Sequence, residues 1–418
     1  MTLPSPGPNQ DQIKKLARLI DRAGSILVVD AALISPSERE QIERASRDET
    51  PWLDAMAQWD PQLHAMLAEL SLKSLGWGSL QQPPDCPKPA YAALFEASLR
   101  ELGLLTPQQP PPWAYWQATA EGLAPEPQRH WMAVEPCQWL VSTQQVQLRL
   151  CRPHQPLSPQ LVETIKAALD WLDASLALSP LGRAYLGFEK PFDLQSAWPE
   201  TLEGLGADGF LPQGSQAGDW RRFVTELEMA LAMTPDSSDT QSLWPWGMGA
   251  PLAPGFPVAF EKETGREESG SALFQAADLT NAPLPLQGLH QWLAGQGRRV
   301  NMQWRTFKKV QSVEEWLAEW ALVLADIQAL RRHCMAANGQ PGRPWAVLLQ
   351  DQWSYKLYVQ PEGRNGQANP AFPSRVGLIE SLRGLTQKLI ASQGGKGKKN
   401  HPLLRLLQLA SWDDQNTG

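Results

Sequence analysis

Two apolar runs that each lead into a carboxylate do most to limit what this chain can fold into. Ser25-Ile-Leu-Val-Val-Asp30 and Trp345-Ala-Val-Leu-Leu-Gln-Asp351 are too short for ordinary helices and too continuously apolar for half-exposed strands. Runs of this kind read as strands buried on both faces, the mark of a parallel sheet covered by helices. An aspartate at the C-terminal end of such a strand stands at the sheet edge where open α/β folds hold their ligands. Asp30 and Asp351 are therefore candidate site residues. Their structural reading is as carboxylates capping nearby helix N-termini.

Between the two runs the pattern turns repeatedly helical. Gln12–Arg22 is amphipathic, and Ser35-Pro36-Ser37-Glu38 opens a helix with serine as its cap. Tyr91–Leu102 is a helical stretch among crowded prolines, with Pro110-Pro111-Pro112 as a stiff connector. Ser158 caps a helix expected to run to about Leu176, with Pro159 at its first position. Asp219–Ala232 is a further helix and leads to Ser242-Leu-Trp-Pro-Trp-Gly-Met-Gly249, read as a loop. Ser312 and Glu315 form a capping box ahead of a helix whose apolar face carries Val313, Trp316, Leu317, Trp320, Val323, Leu324, Ile327 and Leu330. Gly339 and Pro341 end it. Val146-Gln-Leu-Arg-Leu150 alternates at period two, as a strand does.

Strand and helix patterns alternate, so the expected fold is α/β, a mostly parallel sheet flanked by helices. The expected division is an N-terminal extension and helix over 1–24, an α/β domain over 25–372 with an inserted subdomain at about 80–210, and a helical tail over 373–418. That tail carries the basic loop Gly394-Gly-Lys-Gly-Lys-Lys-Asn400 and the apolar stretch Leu403–Leu409. The loop lacks the spacing of a phosphate-cradling P-loop. Lys396, Lys398 and Lys399 are read as a solvated face, with RNA or an acidic partner as the alternative.

Composition removes several function classes. A net charge of −7 offers no global positive field to draw in nucleic acid or anionic membrane. The 4 cysteines contain no C-x-x-C pair, so neither a disulfide framework nor a zinc knuckle is expected. The N-terminus has no signal-peptide core and no apolar run approaches a membrane span, which gives the expectation of a cytoplasmic protein with no membrane partner. Tryptophan stands at 19 residues against 5 tyrosines. Pairs such as Trp113/Trp116 and Trp316/Trp320 could stack bases or sugars, but core packing explains them more simply.

The block 130–254 carries a family resemblance. Trp131…Glu135-Pro136-Cys137-Gln138-Trp139-Leu140 resembles the Pro-Val-His-Leu element of the RpfE-type proteins, a branch of the cofactor-independent phosphoglycerate mutases. Leu211-Pro212-Gln213-Gly214, followed by Trp220 and Glu226, is similar to their Leu-Pro-x-Gly…Trp…Asn-Glu stretch. Ser242-Leu-Trp244-Pro-Trp246-Gly247-Met-Gly249 resembles their Ser-Leu-Trp-Leu-Trp-Gly-Gly-Gly signature. The resemblance covers about a third of the chain and implies an alkaline-phosphatase-like fold. It also implies phosphoryl transfer through a serine beside two divalent metals about 4 Å apart.

The resemblance implies Asp30 and Asp351 as vestigial metal ligands, and the chain departs from the family pattern around them. Ala31-Ala-Leu33 replaces the glycine-containing turn after Asp30, and neither Ser35 nor Ser37 sits in a nucleophile motif. Trp304-Arg-Thr-Phe-Lys-Lys309 stands where the Asp-Glu-x-Gly-His element belongs, and Gln352 follows Asp351 in place of histidine. His64, His130, His154, His290, His333 and His401 show no paired spacing. The resemblance thus implies a catalytically degenerate protein with a regulatory or interaction role, with no cofactor. Its partner would be another protein or a small phosphorylated ligand. Gln213, Gly214, Trp244, Trp246 and Gly247 are the candidate ligand-binding residues, on the premise that backbone N–H groups there hold an anion. The alternatives are an active mutase or phosphatase using manganese or zinc, and a binding module built on the basic tail.

Overall fold

The structure, a computed structural model, describes residues 10–22, 24–30, 73–79, 88–107, 109–141, 146–151, 157–169, 172–202, 210–233, 240–249, 279, 281–295, 300–306, 313–334, 345–350 and 354–359. The Ser35 helix, the Ser312 cap, Asp351, Gln352, Leu403–Leu409 and the basic loop at 394–400 lie outside them. The chain divides into two compact units. The first comprises Met1–Asp21, Gly78–Ser271 and Ala282–Val300, and the second Arg22–Trp77, Ala272–Asn281 and Asn301–Gly418.

The second unit is built on β1 (Ser25–Asp30). Its residues Ile26 to Val29 are at most 2% exposed, as the apolar run requires. β1 pairs in parallel with β8 (Asn301–Thr306) on one side and with β9 (Trp345–Gln350) on the other. β10 (Ser354–Val359) returns antiparallel to β9, and β2 (Lys73–Ser79) closes the order β2-β10-β9-β1-β8. Helix α8 (Val313–Cys334) crosses from β8 to β9 and packs on β1 and β9. Its buried Trp320, Val323, Leu324, Ile327 and Leu330 recur at helical spacing along one face. Each such side chain contributes roughly 1.5–3 kcal/mol by leaving water.

The first unit contains a different sheet. β3 (His130–Val141) lies at its centre, and all its partners run antiparallel: β4 (Val146–Leu150), β6 (Ala184–Phe188) and β7 (Ser242–Gly249), with β5 (Ala174–Leu178) beyond β6. The mostly parallel sheet expected from strand–helix alternation thus describes β8-β1-β9 and not this one. Short connections, such as the turn between β5 and β6, can only join antiparallel neighbours. Along one side β3 changes partner: Val134 stands opposite Ala184 of β6, and Cys137 opposite Leu150 of β4. Pro136, with no N–H to donate, sits at that change.

One face of this sheet presents Met132, Val134, Leu186, Phe188 and Leu243 to α4 (Pro159–Ala168) and α6 (Ala217–Ala232). Ser158 caps α4, its hydroxyl accepting from the Leu161 N–H at 3.2 Å. The helix expected to reach Leu176 stops short. Asp173 takes a left-handed conformation (φ 50°) and turns the chain into β5, whose backbone pairs with β6.

The opposite face meets α3 (Trp113–Ala120), which also packs against α7 (Leu284–Gly295). The approach is close: a Cβ on Gly288 of α7 would stand 1.7 Å from the Trp116 carbonyl oxygen. Elsewhere in this unit α1 (Gln10–Asp21) buries Leu16, Leu19 and Ile20 and packs on α2 (Ala90–Glu101). α5 (Pro199–Leu202) is a single turn.

Candidate functional site

The three parallel strands of the second unit bring their carboxyl ends to one edge, and β1 has a crossover partner on each side there. Asp30 ends β1 and is in register with Thr306, which ends β8. Gln350 ends β9, one residue past the Val29–Leu349 pair. The Gln350 amide donates through Nε2 to Asp30 Oδ1 at 3.1 Å. Thr306 Oγ1 accepts from the Trp304 indole N–H at 3.2 Å. Gln350 is 2% exposed, while Asp30 is half-buried. Among the described residues Gln350 Oε1 has no hydrogen-bond partner.

The cation nearest in sequence does not serve this edge. Arg305 pairs with Asp326 at 2.5 Å and Glu319 at 3.6 Å, both on α8. Its charge ties β8 to that helix. Among the described residues no three His, Cys, Asp or Glu side chains converge as a metal site requires.

The sequence-named residues of the first unit are held differently. Ser242–Gly249 is a strand, not a loop, because the backbone of β3 from Trp131 to Cys137 supplies its hydrogen bonds. Pro245 is accommodated because β7 pairs on one side only among the described strands. Trp244 and Trp246 are each 1% exposed. The Trp244 indole donates to the Ala197 carbonyl at 2.9 Å, and Trp246 packs on Trp198 with centroids 4.8 Å apart. The row continues from Trp198 to Trp113 at 5.4 Å, Trp116 at 4.8 Å and Trp292 at 5.4 Å. Gly247 has φ 69°, and a Cβ there would lie 2.8 Å from the Ala114 nitrogen, so glycine is needed for the fit of α3 against β7.

Gln213 and Gly214 form a clasp ahead of α6. Gln213 and Gln195 exchange backbone hydrogen bonds at 2.7 and 2.8 Å. Gly214 has φ 122°, and a Cβ would stand 2.3 Å from the Asp193 carbonyl oxygen. The Asp193 carboxylate accepts from the Ser215 N–H at 2.9 Å and its hydroxyl at 2.8 Å. These bonds hold the Asp193 carboxyl below its ordinary range. The anion this turn can hold is thus supplied by the chain itself. Gln213 and Gly214 are brought to one turn, and Trp244, Trp246 and Gly247 to one strand.

One polar cluster escaped sequence reading. Arg183 Nε stands 3.3 Å from Glu121 Oε1, and its Nη1 3.7 Å from Glu135 Oε1. Gln117 donates to Glu121 at 2.9 Å. The cluster sits where β3 changes partner. Burial, and after it the Glu121 carboxylate, holds the Tyr185 hydroxyl protonated. Burial likewise pushes the Cys137 thiol far up, which removes it as a nucleophile. Only Glu135 lay in a quoted motif; Glu121 and Arg183 join it through tertiary contact.

No protein-family model matches the chain, and no curated protein matches it. Among solved structures, the cofactor-independent phosphoglycerate mutase from Thermoplasma acidophilum is similar at 11% identity and a TM-score of 0.30, covering 87% of this chain and 99% of its own. The PH0037 protein from Pyrococcus horikoshii is similar at 12% identity and a TM-score of 0.35, covering 91% of this chain and 100% of its own. Scores this low leave the site to be read from its own residues.

Proposed function

We propose that the chain is a catalytically degenerate protein on a phosphoglycerate-mutase-like scaffold of the RpfE type, acting by regulation or by interaction with a protein partner. The observation that carries this reading is the contact made by Asp30. Its carboxylate stands at the strand end expected of a first metal ligand, yet a glutamine amide donates to it. A two-metal phosphoryl-transfer centre needs several carboxylates and imidazoles around each ion. An amide N–H turned toward the carboxylate fills a lone pair that such an ion would use. The ordered motifs in 130–254 support the family reading, and their aromatic and glycine residues serve the packing of α3 and β7.

The test measures metal content and 3-phosphoglycerate mutase turnover in the wild-type protein and Asp30→Ala, with manganese and with zinc supplied. The expected result is no turnover in either protein and no tight stoichiometric metal. Wild-type turnover abolished by Asp30→Ala would establish the active-enzyme alternative instead.

A further inference from the structure

Among the described residues, β4, β7 and β5 each leave one edge of the first unit's sheet unpaired. Such edges pair with other chains unless a charge, a proline or a covering element blocks them. β7 carries Pro245, while β4 carries the exposed Arg149 and lies against α5. β5 reads Ala174-Ser-Leu-Ala-Leu178, with neither a charge nor a proline along it. The chain is described without a break from 172 to 202, which takes in both flanks of β5 and the whole of β6. β6 is buried at every position, whereas β5 is half-buried through Ala177 and Leu178 is 41% exposed.

The register decides which backbone groups of β5 face outward. The Ser179 N–H donates to the Arg183 carbonyl at 2.9 Å, in step with the Leu178–Ala184 pair. Hydrogen-bonded and non-hydrogen-bonded pairs alternate along an antiparallel ladder. Ser175 and Ala177 therefore turn their N–H and C=O toward β6, and Ala174, Leu176 and Leu178 turn theirs away from it.

We propose that β5 pairs antiparallel with β5 of a second copy of this chain, about a two-fold axis at Leu176. Ala174 of each copy then faces Leu178 of the other, and Leu176 faces its own counterpart. Each of these pairs exchanges both its backbone bonds, so no outward group of β5 is left over. Leu176 already packs against the core of this unit, and the axis joins the two cores through it. The net charge of −7 sets copies of this chain against one another, but β5 contributes nothing to that repulsion. The nearest charge in the chain, Asp173, stands just before the strand. The two-fold puts the two Asp173 residues at opposite ends of the paired strands, about 20 Å apart by the rise of an antiparallel strand. A foreign strand would need apolar residues at matching spacing, which every copy of this chain supplies. The inference is independent of the catalytic reading of Asp30.

Sedimentation velocity of the full chain over a concentration series tests this, and a monomer–dimer equilibrium is expected. Leu176→Lys sets two like charges against each other at the axis, and Leu176→Glu does the same with the opposite sign. Each should raise the dimer dissociation constant about tenfold or more, a loss of about 1.4 kcal/mol or more. An equimolar mixture of the two variants should regain the dimer, because opposite charges then meet at the axis. Misfolding could not be rescued in that way. Should circular dichroism show that the Leu176 variants do not fold, Leu178→Pro carries the test with the same weakening expected, since it removes an outward N–H that β6 does not use. A wild-type protein that stays monomeric throughout, oligomers beyond the dimer, a dimer that folded variants leave intact, or a mixture that stays monomeric would overturn the proposal.

Discussion

Replacing Gly288 with alanine tests how the first unit is put together. The new Cβ would lie 1.7 Å from the Trp116 carbonyl oxygen and 2.3 Å from its carbon, both backbone atoms that no rotamer change can move. The contact must open beyond 3.0 Å, so α7 and α3 have to separate along an interface that buries Trp116, Leu286, Leu289 and Leu293. Overpacking a core costs typically 1–3 kcal/mol, and a backbone obstacle places this case at the top of that range or above it. Alanine's better helix propensity returns about 1 kcal/mol. A net loss of about 2 kcal/mol or more is expected. At about 2–4 °C per kcal/mol for a unit of this size, the first unit's Tm falls by roughly 4–8 °C or more. Differential scanning calorimetry measures it, with Gly295→Ala and Gly218→Ala as controls, since a Cβ at either meets nothing within 4 Å. The controls should hold or gain up to about 1 kcal/mol. A Gly288→Ala protein melting within about 1 °C of wild type would refute the close helix approach.

Two further outcomes follow from the polar groups. Asp193→Ala should lower stability by less than about 1 kcal/mol at neutral pH, because the carboxylate is exposed and its hydrogen bonds are screened. Its folded pKa is depressed, so its contribution is present above the unfolded value of about 3.9 and is lost as pH falls through the folded value. Thermal melts from neutral pH to about pH 2 should show wild type and variant converging in acid; a constant gap would contradict the Ser215 contacts. Arg183→Met leaves Glu121 and Glu135 buried without their shared guanidinium, at an expected cost of about 3–5 kcal/mol in urea unfolding. Glu121→Gln added to it should recover part of that cost, whereas a single-variant loss below about 1 kcal/mol would show the cluster to be solvated.

The elements that were legible in the sequence are those whose signal is local. β1 and β9 are continuous apolar runs, and α8 repeats its apolar residues at helical spacing. β7 was not legible, because Pro245, Gly247 and Gly249 mark a turn unless β3 is already alongside. β5 has no strand signal of its own, because Ala-Ser-Leu-Ala-Leu suits either state and the break at Asp173 uses no glycine. Asp30 could be named from its strand. Gln350 could not, since the register that sets it beside Asp30 joins residues far apart in the chain.

That separation bears on how the protein is made. β1 leaves the ribosome well before its neighbours, which begin at Asn301 and Trp345. At 5–20 residues per second, about 15–50 s pass between the synthesis of Asp30 and that of β8. Through that interval Ile26-Leu-Val-Val29, a stretch destined for burial on both faces, has neither of its β1 partners. A nascent chain of this protein therefore carries that apolar stretch without its sheet partners throughout the interval. The length of that exposure is set by the position of β8 in the sequence, whatever the stability of the finished fold.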